Sequence, residues 1–125
     1  MKASLILPAV TLIILSGCTH KTNMKALSGK YCLNTALHKD SILIDSNHTY
    51  THRFHAVNNH TFECKGNWEF NPTTNEIKFK DFLFFTDRGL DGLPPGDWDA
   101  KVNDTQDGKI QIIYSSENNI YYEKQ

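Results

Sequence analysis

Thr61-Phe62-Glu63-Cys64-Lys65-Gly66-Asn67-Trp68-Glu69-Phe70 is the stretch on which the fold turns. Phe62, Cys64, Gly66, Trp68 and Phe70 alternate with Glu63, Lys65, Asn67 and Glu69, so an extended chain places the first set on one face and the charged set on the other. Such alternation belongs to an antiparallel sheet with one face on a core and one in water. Asn71-Pro72-Thr73-Thr74-Asn75 supplies a turn, and Ile77 and Phe79 alternate with Lys78 and Lys80 on a return strand.

Outward from this hairpin the period of two dominates and no helical stripe interrupts it. The same patterning predicts strands over 30–34, 41–45, 49–56, 98–103, 109–115 and 120–124. Their separators are turn-formers: Ser46-Asn47-His48, Asn58-Asn59-His60, Asp104-Thr105-Gln106-Asp107-Gly108 and Glu117-Asn118-Asn119. About eight short strands joined mostly by tight turns make an all-β antiparallel meander over 28–125, as a closed barrel or a two-sheet sandwich; closure removes the edges that invite aggregation. The expected inward set is Tyr31, Leu33, Ile42, Ile44, Tyr50, Phe54, Phe62, Trp68, Phe70, Ile77, Phe79, Trp98, Val102, Ile110, Ile112, Tyr114, Ile120 and Tyr122. So many large side chains predict an interior that is filled rather than spacious.

Ser28-Gly29-Lys30-Tyr31 is similar to the Gly-x-Trp that opens the first lipocalin strand, with Tyr31 in place of the tryptophan. Gly66-Asn67-Trp68 echoes the pattern on the fourth strand. The resemblance implies a lipocalin-like barrel and carriage of a small apolar ligand.

At the other end of the sequence, Lys2 precedes an apolar run over 3–15 and then small residues, the three-part shape of an export signal, too short for an ordinary membrane span of about 20 residues. Leu15-Ser16-Gly17-Cys18 resembles the bacterial lipobox. That resemblance implies a signal peptide over 1–17, a diacylglycerol group on the sulfur of Cys18, cleavage after Gly17, and acylation of the new amino terminus with a chain such as palmitate. Several acyl chains anchor stably where one is marginal. Thr19 after the cysteine implies, by enterobacterial sorting, a lipoprotein of the outer membrane facing the periplasm. Residues 18–27, polar or small, read as a flexible tether.

The 125 residues hold 13 Lys and Arg against 14 Asp and Glu, a balance that gives no electrostatic argument for nucleic acid. Cys32 and Cys64 form an even pair for an oxidising compartment, and a disulfide between them is expected to contribute about 3 kcal/mol. Cys32, however, alternates out of phase with Tyr31 and Leu33, so the bond needs a bulge or a changed register.

His48, His52, His55 and His60 raise the possibility of metal binding. His52 shares a face with Tyr50 and Phe54 while His55 points to the other side, and no zinc-site spacing accompanies them, so solvated strand and turn histidines are expected and no metal is assigned. Asp87, Asp91, Asp97 and Asp99 lack the spacing of a calcium loop. No nucleophile motif or phosphate-cradling glycine loop is present, so no enzyme activity and no cofactor are expected.

The run Phe82-Leu83-Phe84-Phe85 is apolar on both faces and leads into a loop rich in Gly, Pro and Asp. Either the loop folds back over it through Leu90 and Leu93, or Phe82, Phe84, Leu90, Leu93 and Trp98 form a surface for a partner protein. The expectation is an envelope binding module acting by protein recognition, in the manner of small lipoproteins that inhibit lysozyme or confer immunity to toxins. Its alternatives are a lipocalin-like ligand carrier and a weak histidine metal site.

Overall fold

The structure, a computed structural model, describes residues 22–35, 39–57, 59–86, 89–90 and 92–125. The predicted leader and Cys18 lie outside them, as do Asp87, Asp91 and the side chain of Leu90. Eight antiparallel strands close into an up-and-down barrel: β1 (Gly29–Leu33), β2 (Lys39–Ile44), β3 (Thr49–His55), β4 (Thr61–Asn71), β5 (Glu76–Phe82), β8 (Gly96–Asp104), β9 (Ile110–Ser115) and β10 (Ile120–Lys124). Each pairs with its neighbours in sequence, and β10 returns to β1 with Tyr31 opposite Lys124. Two short strands between β5 and β8, β6 (Phe85–Thr86) and β7 (Gly89–Leu90), pair only with each other. The barrel alternative is thus the correct one, and closure leaves no edge among the eight strands.

One turn geometry recurs. The carbonyls of Asp45, Ala56, Thr105 and Ser116 accept from the N–H groups of His48, Asn59, Gly108 and Asn119, and each of these donors sits at positive φ (67°, 67°, 75° and 54°). A type I turn followed by a left-handed residue suits Asn and Gly. His48 is the costly member of the set, and its ring stacks on Trp68 with centroids 4.8 Å apart.

The chain enters through a 3-10 helix, Met24–Leu27, capped by the Asn23 side chain on the Lys25 N–H. Leu27 is fully buried, its carbonyl accepts the Tyr31 hydroxyl (2.7 Å), and the Ala26 carbonyl accepts the Lys124 ammonium (2.6 Å). This shortens the tether expected over 18–27: residues 24–27 are pinned, because Leu27 has an apolar site waiting at the barrel end. Above the plug lies a solid core of Tyr31, Ile44, Trp68, Ile77, Val102 and Ile110.

The expected disulfide does not exist; both thiols are free. Strands β2 and β3 separate β1 from β4, Cys64 points inward, and Cys32 faces out beside Tyr31, which points in. Cys64 instead serves a bulge. Between Phe79 and Phe82 the β5–β8 register shifts, with Asp81 at φ 55°, and the Cys64 thiol donates to the Asp81 carbonyl (3.4 Å). Tyr50 donates to the Lys80 carbonyl (2.6 Å) across Gly66, where an added Cβ would lie 2.5 Å from that same oxygen.

Candidate functional site

The bulge decides the site. Simple alternation from Ile77 and Phe79 would turn Phe82 outward, but the extra residue turns it in, and it is 1% exposed. Phe84 and Phe85 follow it over the end of the barrel opposite the plug. Phe85 stacks on Phe54 (5.2 Å), and Phe84 meets Trp98 edge-on (5.7 Å) and Tyr114 at 6.1 Å. The run that is apolar on both faces is therefore largely covered by turning into the barrel mouth. Of the four residues of the expected partner surface whose side chains are described, Phe82 is core, Phe84 and Trp98 pack against it half-buried, and Leu93 faces solvent, at 68% exposure.

Beneath these rings sits a polar group that the inward list omitted. His52, on β3 between Tyr50 and Phe54, is 1% exposed. Its Nδ1 lies 3.0 Å from the Leu83 carbonyl and its Nε2 lies 2.7 Å from Asp40 Oδ1. The second oxygen of Asp40 accepts the Tyr122 hydroxyl at 2.8 Å. The expectation of solvated histidines fails here because a neighbouring strand supplies an anion: Asp40 has the inward phase of Ile42 and Ile44 on β2. An acid and a histidine in the inward phase of adjacent strands was the signal available in the sequence.

The proton inventory follows from what each atom can do. A carbonyl only accepts, so Nδ1 carries a proton, and a 2.7 Å contact between Nε2 and a carboxylate oxygen requires another between them. The pair is net neutral whichever partner holds that second proton. The His52 ring stacks on Phe82 at 4.4 Å with an interplanar angle of 12°, and Phe85 lies 4.8 Å away. Burial, the Asp40 charge and its hydrogen bond hold the Tyr122 phenol protonated far above the ordinary tyrosine range, so it remains a donor.

Over this network lies a cavity of about 230 Å³, lined by Leu33, Thr35, Asp40, His52, Phe82, Phe84, Phe85, Tyr114, Ile120 and Tyr122. The expected filled interior therefore holds for the plug half and fails at the loop end. A larger concavity of about 760 Å³ lies on the outer wall of β1 to β3, among Lys30, Cys32, Leu43, Thr51 and Arg53. Leu43 there is 43% exposed, and Leu33, Thr35 and Asp40 line both spaces.

The other described histidines do not join His52. His48 occupies its turn against Trp68, His55 bonds the Thr61 hydroxyl at 3.0 Å, and His60 is exposed. Among the described residues no three His, Cys, Asp or Glu side chains converge on a metal-sized site. Asp97 accepts from the Asp81 N–H (3.4 Å) and Asp99 pairs with Lys78 (4.0 Å), so these two acids serve separate contacts. No protein-family model, curated protein or solved structure matches the chain.

Proposed function

We propose that the protein is a lipid-anchored module of the bacterial envelope whose barrel holds one small, largely apolar ligand at the loop end. The observation that carries this reading is the ring-lined cavity of about 230 Å³ set over a buried His52–Asp40–Tyr122 network. A few convergent polar groups in an apolar concavity is the usual composition of a ligand site. At about 30 Å³ per water-sized group the space takes roughly eight such groups, a ring with a short chain. The role is binding, because His52 commits both ring nitrogens, to Leu83 and to Asp40, and has neither left to activate a nucleophile.

The test is a nuclear magnetic resonance titration of the full chain with single-ring compounds. Saturable shifts confined to Phe84, Tyr114 and the His52 ring support the reading. Shifts spread over the outer wall, or none at any concentration, overturn it. Anchoring at Cys18 is tested separately by intact-mass measurement of protein from bacterial membranes: the mass lacks residues 1–17 and gains acyl groups, and both changes disappear in Cys18→Ala.

Recognition of a partner protein is the second reading, favoured by Leu93 and Val57, 68% and 69% exposed in connections at the same end of the barrel. Charges placed at both positions abolish partner capture under this reading and leave ring-compound binding intact.

A further inference from the structure

The hydrogen-bond inventory of the cavity selects the sign of the ligand, an inference that rests on the ligand-binding reading above. His52 gives its Nδ1–H to the Leu83 carbonyl, and the one proton between Nε2 and Asp40 is taken up by their contact. Tyr122 has one O–H, given to the other Asp40 oxygen. Every donor of the buried network is thus committed within it. What the network still offers is acceptor capacity. A carboxylate has about four lone-pair directions, and the two described contacts on Asp40 use one on each oxygen; the Tyr122 oxygen also keeps lone pairs. Thr35 adds a hydroxyl, which donates or accepts.

An anionic ligand entering this space meets a carboxylate and no uncommitted N–H from the network. A ligand that donates finds acceptors, and because the His52–Asp40 pair is net neutral, a positive charge on the donor gains through its hydrogen bonds and the ring faces rather than through a net charge of the site. The donor's hydrogen bonds to Asp40 are charge-assisted, about twice as strong as neutral ones. The walls are rich in Phe82, Phe84, Phe85, Tyr114 and Tyr122, whose ring faces attract cations. We infer that the cavity takes a compact organic ammonium, a primary amine on a single-ring or similarly sized apolar body, with the nitrogen on Asp40 and the Tyr122 oxygen and the body among the phenylalanines.

The inference is tested with three probes that share one body and differ in head group: 2-phenylethylamine, 2-phenylethanol and phenylacetate. Each is titrated into the full chain at neutral pH, with the Phe84 and Tyr114 resonances as reporters. The amine is expected to bind about tenfold more tightly than the alcohol, with no saturable binding of phenylacetate. An alcohol that binds as well as the amine, or a carboxylate that binds at all, overturns the ammonium assignment while leaving the cavity a ligand site. Failure of all three to move either reporter overturns the site itself.

Asp40→Asn is expected to erase the amine's advantage over the alcohol. Should that variant not fold, Ile120→Trp decides in its place, since it fills the cavity from the rim without altering a group of the network. It abolishes binding of the amine if the cavity is the site, and retained binding places the amine elsewhere and overturns the inference.

Discussion

The two ends of the barrel solve the same problem differently. At the plug end, Leu27 closes a solid core around Trp68, and two side-chain polar groups there are met by backbone: the Trp68 indole N–H donates to the Asp45 carbonyl (2.9 Å) and the Tyr31 hydroxyl to the Leu27 carbonyl. At the loop end, three side chains from β2, β3 and β10 satisfy one another, and space remains above them. A core that excludes water gives stability without choice. A network with unused acceptors gives up some packing and gains the capacity to discriminate among ligands.

The largest expected effect concerns both ends together. Burial raises the phenols of Tyr31, Tyr50 and Tyr122 well above 10.0, with nearby groups adding to this for Tyr50 and Tyr122. Above pH 10 the unfolded chain releases protons that the folded chain retains, so stability is complete below that pH and falls as pH rises beyond it. Tyrosinate absorbance and loss of circular dichroism are expected to appear together for these three; phenolate in a chain that stays folded would break the account.

Next in size is Trp68→Ala, expected to cost about 4 kcal/mol by urea unfolding, since a fully buried aromatic leaves a void that a plugged end cannot collapse. Asp40→Ala is expected to cost about 3 kcal/mol, because it strands His52 and Tyr122 without an acceptor. Replacing the pair together, Asp40→Leu with His52→Phe, is expected to recover most of that loss. Failure to recover would mean the network holds the loop end in place as well as satisfying itself. The smallest effect is Phe84→Ala at about 1–2 kcal/mol, the ring being half-buried. That change should speed amide exchange in β6 and β7 and leave the plug end untouched, which sharpens the contrast between the ends.

Much of the barrel was legible because its determinants are local. Alternation along β4 marks the inward face at Cys64 and Trp68, and Asn59, Gly108 and Asn119 mark turns by their tolerance of positive φ. The site was not legible, because one residue of bulge is silent in the pattern. Asp81 at φ 55° reverses the phase for Phe82 and carries Phe84 and Phe85 over the mouth, so a run that reads as an exposed patch becomes a ceiling. Asp40 and His52 have inward phases that alternation does reveal, but their pairing depends on which strands become neighbours. Phase also exposed the weakness of the disulfide: Cys32 and Cys64 point to opposite sides of the wall, and topology places two strands between them.

The helix that plugs the barrel would also set the reach of the proposed anchor. From Cys18 to Met24 the chain spans six residues, at most about 21 Å when fully stretched, less than the length of many linkers that let a domain tumble freely. A lipid on Cys18 would therefore hold the barrel close to the bilayer with its solid end downward. The ring-lined mouth would then look away from the membrane, facing solutes of the compartment rather than lipids beneath it.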